Sequence, residues 1–595
     1  MSPRRVGGCA AVVLSILLWA ACGQVYRPVV LPCTEGGLPN CPVETPPTPS
    51  NFHEVFVISN NTPSYPGGAM QIDVGGDSII AETAINGPNA PNGGQNPTYG
   101  TIFPNFTKVF VASAGSLSGG VDLVSSFTPA VQSLVGTGFG AVTAASLPAA
   151  TESITTITEA GSTVSVTLSA PLSVPQGYTV VITNVVIPNC NPPACNPNAY
   201  DGAFTVTSNS GNVLTYTDST GLPTLSGATL TGATAAFPPV PDFLATTQNN
   251  AMYIANYNTN SVFALNTAQN IVSNTAAVGV HPVAMAEANA TVGTKLYVAN
   301  QGSNSVSSLN AIDLSPNVVT GFTGTSPEWV TARGDGQRVY VITQGDGQLE
   351  TIDTATDTVI VPPAGNPSVG AGANFIFLDP NLNRLYITNP TTGTLYVFSD
   401  TGGPGDTPSL ITTISFPAPA SLCPTGCSAV APVSVTALAD ESRFYVASYQ
   451  TAAACPDTFV GSVPCVIPQL SVFDAQSFAL KTTLKLLTNP PFQSNSAGTQ
   501  FQYAVPTVTS CLPAATYSPG TTRFDVFTVA STDSSKVYVG MCDAGAIAVV
   551  NAADNNVNNT GGTQIPADTL LTNLPAAFSG AGTDLQNPIL MFTGQ

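Results

Sequence analysis

The sequence has few charged residues, and very few of them are basic. Asp, Glu, Lys and Arg make up 8% of the 595 residues, and 13 Lys and Arg stand against 33 Asp and Glu, which gives a formal net charge of −20. Binding to a phosphate backbone requires clustered Lys and Arg. The composition therefore argues against a nucleic-acid partner.

Histidine is also scarce, because the chain contains only His53 and His281. Two histidines are too few for a histidine-rich metal site. The G-x-S-x-G, H-E-x-x-H and EF-hand patterns do not occur either. We therefore predict no metal and no cofactor, and the residues favour a protein without catalysis, with enzymatic activity as the alternative.

The apolar stretch near the start of the chain is too short to be a comfortable membrane span. It runs from Val6 to Ala21 and follows Arg4 and Arg5, whereas a spanning helix needs about 20 apolar residues. This arrangement is typical of a secretory signal peptide. The string LLWAAC at 17–22 resembles a bacterial lipobox, and this resemblance implies that residues 1–21 are removed and that Cys22 is lipidated.

A proline-rich segment follows, and it predicts a tether. Residues 22–52 contain Pro42, Pro46, Pro47 and Pro49 and rather few apolar residues, a composition that makes a semi-rigid spacer. We expect an exported protein held at the bacterial cell envelope by its lipid alone. The alternatives are an outer-membrane lipoprotein, a cell-surface lipoprotein and a periplasmic protein.

Cysteine spacing agrees with export to an oxidising compartment. Besides Cys9 and Cys22, the ten remaining cysteines form five neighbouring pairs: Cys33/Cys41, Cys190/Cys195, Cys423/Cys427, Cys455/Cys465 and Cys511/Cys542. Disulfides persist in such compartments. The alternative is a metal site made by the four cysteines between 423 and 465, but the spacing matches no familiar zinc motif, so we predict disulfides.

The most informative feature that is present is a seven-residue phrase that returns eight times. The copies read EVFVISN (54–60), KVFVASA (108–114), AMYIANY (251–257), KLYVANQ (295–301), RVYVITQ (338–344), RLYITNP (384–390), RFYVASY (443–449) and KVYVGMC (536–542). An aromatic residue occupies the third position each time. A basic residue begins six copies, and we interpret it as a polar residue that closes the preceding turn rather than as part of a cationic ring.

Three more strand patterns accompany each complete phrase, at intervals of roughly 40–50 residues, which is typical of a β-propeller blade. With strands that end in ID or FD, and a G-x-x-P strand before several copies, residues 53–150 and 236–595 resemble YVTN-type (YncE-like) propeller repeats. The resemblance implies an all-β fold with a single propeller of four-stranded blades. If each phrase belongs to one full blade, the propeller has eight blades. Seven is the alternative if one phrase is not part of a full blade.

Two further features complete the predicted architecture. The strand-like segment QNPILMFTG at 586–594 has no partner nearby, and we expect it to complete the first blade and close the ring, which removes exposed edges. Residues 151–235 have their own strand pattern and predict a small all-β module inserted in the second blade. Long loops and insertions on a rigid scaffold commonly carry binding sites.

The G-x-x-P strand is expected to line the central channel, so residues near its start predict the channel mouth. These ligand-binding candidates are Tyr99, Asp242, His281, Glu328 and Trp329. We expect a monomer that binds envelope proteins or glycans without catalysis. The alternative is a propeller hydrolase or lactonase-like enzyme with an acidic site at the mouth, with or without an assisting metal ion.

Overall fold

In a computed structural model of the full chain, every regular element among the described residues is a β-strand. The structure describes residues 54–60, 67–75, 77–85, 96–102, 108–114, 120–125, 143–187, 190, 192, 196–218, 230–246, 251–290, 293–400, 407–416, 426–453, 465–486, 492–494, 500–502, 511, 521–553, 556–557, 564–576 and 586–593. Within these ranges there is no helix long and apolar enough to span a bilayer. The predicted signal peptide, Cys22 and the tether lie outside them.

Eight antiparallel sheets of four strands each occur among the described residues. The first contains β1 (Glu54–Asn60), β2 (Gly68–Asp73), β3 (Ser78–Ala84) and the last strand of the chain. The second contains β4 (Pro97–Ile102), β5 (Lys108–Ser113), β6 (Gly120–Ser125) and β7 (Thr143–Ser146).

A closed barrel separates the second sheet from the third. It is built from β8 (Ala150–Ala160), β9 (Thr163–Leu168), β10 (Thr179–Thr183), β11 (Gly202–Ser210), β12 (Val213–Thr217) and β13 (Thr234–Phe237). Its interior has a core of its own that includes Val166, Val206 and Leu214. The module was predicted inside the second blade, and this was wrong, because β7 completes that sheet before the barrel begins.

The third to sixth sheets follow the repeat without interruption. They comprise β14 (Pro241–Thr246), β15 (Ala251–Asn256), β16 (Ser261–Asn266) and β17 (Ile271–Ala277); β18 (Pro282–Ala290), β19 (Gly293–Asn300), β20 (Ser305–Asn310) and β21 (Pro316–Asn317); β22 (Pro327–Ala332), β23 (Arg338–Thr343), β24 (Leu349–Asp353) and β25 (Thr358–Ile360); and β26 (Phe375–Asp379), β27 (Arg384–Asn389), β28 (Thr394–Ser399) and β29 (Ser409–Ser415).

The last two sheets carry small additions. The seventh contains β30 (Ala431–Ala437), β31 (Arg443–Ala452), β32 (Cys465–Asp474) and β33 (Leu480–Lys485), and a hairpin of β34 (Phe492–Ser494) and β35 (Gln500–Gln502) follows it. The eighth contains β36 (Val526–Ala530), β37 (Lys536–Met541), β38 (Ala546–Asn551) and β41 (Thr569–Pro575), with the hairpin of β39 (Asn556–Val557) and β40 (Gln564–Ile565) between the last two. The final strand is β42 (Asn587–Thr593).

The sheets surround a central channel in the manner of propeller blades. The innermost strands β4, β14, β18, β22, β26, β30, β36 and β42 each contact the next, and β42 contacts β4. We call the face where these strands begin, at residues such as Pro241 and Pro327, the upper face. The face where they end is the lower face.

The C-terminal strand completes the first sheet, as the sequence predicted. β42 pairs antiparallel with β1, with Val55 opposite Thr593 and Asn60 opposite Asn587. The rings of Phe56 and Phe592 stack across this pair with their centroids 5.7 Å apart. The two ends of the chain therefore build one blade together, and both β1's first residue and β42's last lie at the lower face.

The repeated phrase forms the second strand of each sheet, and its aromatic residue is fully buried between neighbouring blades. Tyr297 in the fourth sheet shows what the hydroxyl does, because it donates to Asp357 Oδ1 of the fifth sheet at 2.5 Å. Lys295, two residues earlier, places its Nζ 2.6 Å from Asp357 Oδ2. We call this pair of contacts, from the start of a second strand to the last turn of the next blade, the inter-blade clasp.

The same clasp recurs at two further boundaries between blades. Arg443 and Tyr445 of the seventh sheet both reach Asp568 of the eighth, with Arg443 Nε 3.3 Å and Tyr445 Oη 2.8 Å from its carboxylate. In the eighth sheet, Lys536 and Tyr538 bind Asp77 of the first in the same way. Lys295, Arg443 and Lys536 therefore do more than close a turn, because they join one blade to the next. Arg338 differs, since it pairs with Asp353 of its own sheet.

The acceptor of each clasp stands in a turn that needs a left-handed backbone. The φ angles are 49° at Asp77, 54° at Asp357 and 57° at Asp568. Phe478 holds the matching position in the seventh sheet with a φ of 59°, and there Arg384 lies over its ring at 4.8 Å from the centroid. A cation–π contact thus replaces the ion pair at this boundary.

We predict that Tyr297→Phe lowers the free energy of unfolding by about 2 kcal/mol, because the Asp357 carboxylate loses a buried hydrogen bond. The matched control is Tyr386→Phe, since Tyr386 occupies the same repeat position but its hydroxyl lies beside Arg384 and has no carboxylate acceptor among the described residues. The measurement is urea unfolding of both variants beside the parent protein. Equal destabilisation by the two substitutions would contradict the role of the clasp.

Candidate functional site

The upper mouth of the channel is built by the first residues of the innermost strands. Asp242 follows Pro241 in β14, and Glu328 follows Pro327 in β22. In both strands the register shifts immediately after the proline. Such a bulge redirects a side chain, and the two carboxylates share a common partner in this structure.

That partner is Arg523, which comes from the segment just before β36 on the other side of the ring. Its Nη2 lies 2.6 Å from Asp242 Oδ2, and its Nη1 lies 3.5 Å from Glu328 Oε1. Nη2 also donates to the carbonyl of Val283 at 2.5 Å. Gln301 Nε2 donates to Glu328 Oε2 at 2.6 Å. We call Asp242, Glu328, Gln301 and Arg523 the mouth network.

The mouth network is almost completely removed from solvent. The exposed fraction is 0% for Asp242, 6% for Glu328 and 7% for Gln301, and it is 5% for the Arg523 side chain. Burial raises the pKa of Glu328 to about 7; Arg523 lowers this pKa and Asp242 raises it. One guanidinium thus faces two carboxyl groups, and Glu328 can exchange a proton near neutral pH.

An aromatic layer lies across the channel beside the mouth network. Tyr99 stacks on Phe243 with a centroid separation of 4.1 Å, and Phe243 meets the edge of Trp329 at 5.5 Å. Trp329 in turn packs against Phe375 at 4.9 Å and against Phe524 at 5.9 Å. Edge and stacked ring contacts of this kind add to the stability gained by burying the rings.

His281 contributes to a different contact from the one predicted. It lies just before β18, where its ring stacks on Tyr257 at 4.2 Å and its Nε2 is 3.2 Å from the hydroxyl of Tyr178 in the barrel. Desolvation lowers the pKa of His281. His281 thus lies beside the mouth network, through Tyr257, and connects it to the barrel through Tyr178. Its role as a ligand-binding residue stays a prediction.

A second pair of carboxyl groups lies close to the segment that carries Arg523. Asp525 and Asp543 are 1% and 8% exposed, and each offers an oxygen within 4.8 Å of the other and of Cys511 Sγ. Burial, followed by the charge of Asp543, raises the pKa of Asp525 well above its ordinary value. The Cys511 sulfur is bonded to Cys542, so it is not available as a thiolate ligand.

Disulfides occupy several of the other predicted positions. Cys190, Cys427 and Cys465 are each disulfide-bonded. The expected partners Cys195, Cys423 and Cys455 lie outside the described residues, as do Cys33 and Cys41. The pairing of these cysteines stays a prediction.

The structure thus brings together four of the five sequence candidates, Tyr99, Asp242, Glu328 and Trp329. The repeat could have revealed Phe243 as well, because it stands two residues after a proline like Tyr99 and Trp329. Arg523 could not have been found in this way. It precedes an innermost strand and follows a long insertion, so no repeat position predicts its reach across the channel.

No protein-family model and no curated protein sequence matches the chain. Among solved structures, it is similar to the periplasmic gluconolactonase PpgL of Pseudomonas aeruginosa, with a TM-score of 0.40, 11% identity and coverage of 91% of this chain and 99% of that one. It is also similar to Kuenenia stuttgartiensis hydrazine synthase, with a TM-score of 0.37, 14% identity and coverage of 60% and 96%. Likenesses at this level carry no conclusion about activity.

We predict that the protein becomes less stable as pH rises from about 4.5 to about 7, because the folded state raises the pKa of Glu328 from 4.5 to about 7 and so favours its protonated form. A shift of this size corresponds to about 3 kcal/mol. Glu328→Gln, which mimics the protonated form, should remove this part of the pH dependence. The exposed Glu441→Gln is the charge-matched control, and urea unfolding across this pH range is the measurement.

An unchanged pH dependence in Glu328→Gln, or an equal change in Glu441→Gln, would contradict this assignment.

Proposed function

We propose that the chain is an exported, lipid-anchored, monomeric YVTN-type propeller of eight blades that binds a protein or a glycan of the cell envelope without catalysis. The observation that carries the proposal is the mouth network. Both acids that an active site would need are buried and bound to Arg523. A mouth filled by the chain's own side chain supports recognition at another surface of the molecule.

The position of the chain start supports display of the upper face. β1 begins at the lower face, because Val55 pairs with Thr593 at the end of an innermost strand. The proposed tether and lipid would therefore join the propeller from below. The barrel rests on the upper face, where Tyr178 contacts His281, so it would point away from the membrane.

A cleft between the barrel and the third blade provides a surface for recognition. It encloses about 790 Å³, and its lining includes Thr151, Ser173, Gln176 and Ser208 from the barrel and Asn260 from the blade. The described residues that line it include Glu152 but no Lys or Arg. Hydroxyl and amide groups suit the hydroxyls of a glycan or the backbone of a peptide, and such a cleft does not favour an anionic partner.

The enzyme alternative draws support from one observation, the pKa of about 7 for Glu328. A general acid or base works best when its pKa lies near the working pH. In this alternative, a ligand would displace Arg523 and expose Glu328 and Asp242 for lactone or ester hydrolysis.

We predict that Ser208→Trp, which fills the cleft, reduces retention of an envelope component at least about tenfold, because a buried contact surface is lost. Ser162→Trp, an exposed barrel position outside the cleft lining, is the matched control. The full-length protein is immobilised and exposed to envelope fractions treated with protease or with periodate. Loss after protease identifies a protein partner, and loss after periodate identifies a glycan.

Equal retention by the two variants would overturn the cleft as the binding surface. Lactone hydrolysis that is abolished by Glu328→Gln would instead establish the enzyme alternative.

The anchor is tested separately with Cys22→Ala, which should move the protein from the membrane fraction to the soluble exported fraction. Fractionation followed by mass measurement of the N-terminal peptide reads the outcome. An unlipidated peptide from the membrane-bound parent protein would contradict the proposed anchor.

A further inference from the structure

Beneath the aromatic layer, the channel contains a cavity that the mouth network does not use. It encloses about 430 Å³ between the innermost strands of the second to fifth sheets. Small-molecule sites in proteins commonly fall in the range of roughly 300–1,000 Å³. The volume therefore suits a small organic ligand.

The upper part and the sides of the cavity lining are apolar. Tyr99, Phe243 and Trp329 belong to both the aromatic layer and the cavity lining. Leu244 and Met285 contribute along the sides. These side chains are held by the same buried ring contacts that close the channel, so the apolar wall is formed before any ligand arrives.

The opposite part of the lining is polar and carries negative charge. Glu287 and Asn289 face the cavity from β18, and Thr246 and Thr331 add hydroxyl groups from the strands on either side. Glu287 is the only side chain charged at neutral pH among the described residues of the lining. The net charge of −20 for the whole chain further attracts cations.

From this arrangement we infer that the lower channel binds a small organic amine with an apolar or aromatic body. The body packs against the aromatic layer at Trp329, and the ammonium group lies towards Glu287. Aromatic side chains stabilise a bound ring or a nearby cation, and a partly desolvated carboxylate stabilises the ammonium group. This site is independent of the cleft beside the barrel, and neither requires the other.

Trp329 offers a direct reporter for this inference. The chain has two tryptophans, Trp19 and Trp329, and Trp19 lies in the proposed signal peptide. Trp19→Phe removes the tryptophan of any unprocessed chain and leaves Trp329 as the single source of tryptophan fluorescence. Phenethylamine should change this fluorescence with saturation. Its neutral counterpart 2-phenylethanol should bind at least about tenfold more weakly, because it lacks the charge that pairs with Glu287.

Two variants in the same background complete the test. Glu287→Gln should weaken phenethylamine at least about tenfold and leave 2-phenylethanol unchanged, whereas the exposed Glu441→Gln should change neither. Ala286→Leu, which adds volume to the lining, should weaken both ligands. The inference is overturned if phenethylamine produces no saturable change, if the two ligands bind the parent equally, or if Glu287→Gln and Glu441→Gln behave alike.

Discussion

The clasp between neighbouring blades is the interaction on which the rest of the structure depends. A propeller blade buries both faces only when its neighbours are in place, so the boundaries between blades determine whether the ring forms. Asp357 illustrates the arrangement, because it accepts bonds from Lys295, Tyr297 and Ser308 at one point. A carboxylate that is partly desolvated needs such partners, and the partners come from the adjacent blade. Correctly placed blades are therefore more stable than misplaced ones, because a misplaced blade would leave the buried carboxylate without its partners.

A rigid ring explains how the channel can hold the mouth network. Asp242 is completely buried, and Arg523 reaches it from the opposite part of the ring to balance its charge. The aromatic layer next to it has the same origin, since Phe243 and Trp329 start from different blades and Phe524 comes from the segment before β36. The centre of the channel is thus specified by several distant parts of the chain at once.

This distribution explains what the sequence could and could not predict. Tyr99, Asp242, Glu328 and Trp329 were within reach, because they occupy the two positions that follow the proline at the start of an innermost strand. The closing strand was also predictable, since it was the one strand pattern without a partner. The roles of Lys295 and Arg443 were missed because each pairs with an Asp of the next blade. The seven-residue phrase does not contain that Asp, so the phrase alone does not reveal the ion pair. Arg523 and the contact between His281 and Tyr178 depend on three-dimensional neighbours that no spacing in the sequence encodes.

The way in which the first blade is closed affects how the protein folds during synthesis. Its innermost strand, β42, is synthesised long after β1, so β1 lacks its inner partner during most of translation. A growing chain therefore carries an unpaired strand edge, and Phe56 lacks its stacking partner Phe592, until β42 emerges. Pairing over so long a separation is slow, so partially made chains depend on protection from aggregation. A chain without β42 would leave the inner edge of β1 unpaired and would interrupt the ring of innermost strands between β36 and β4.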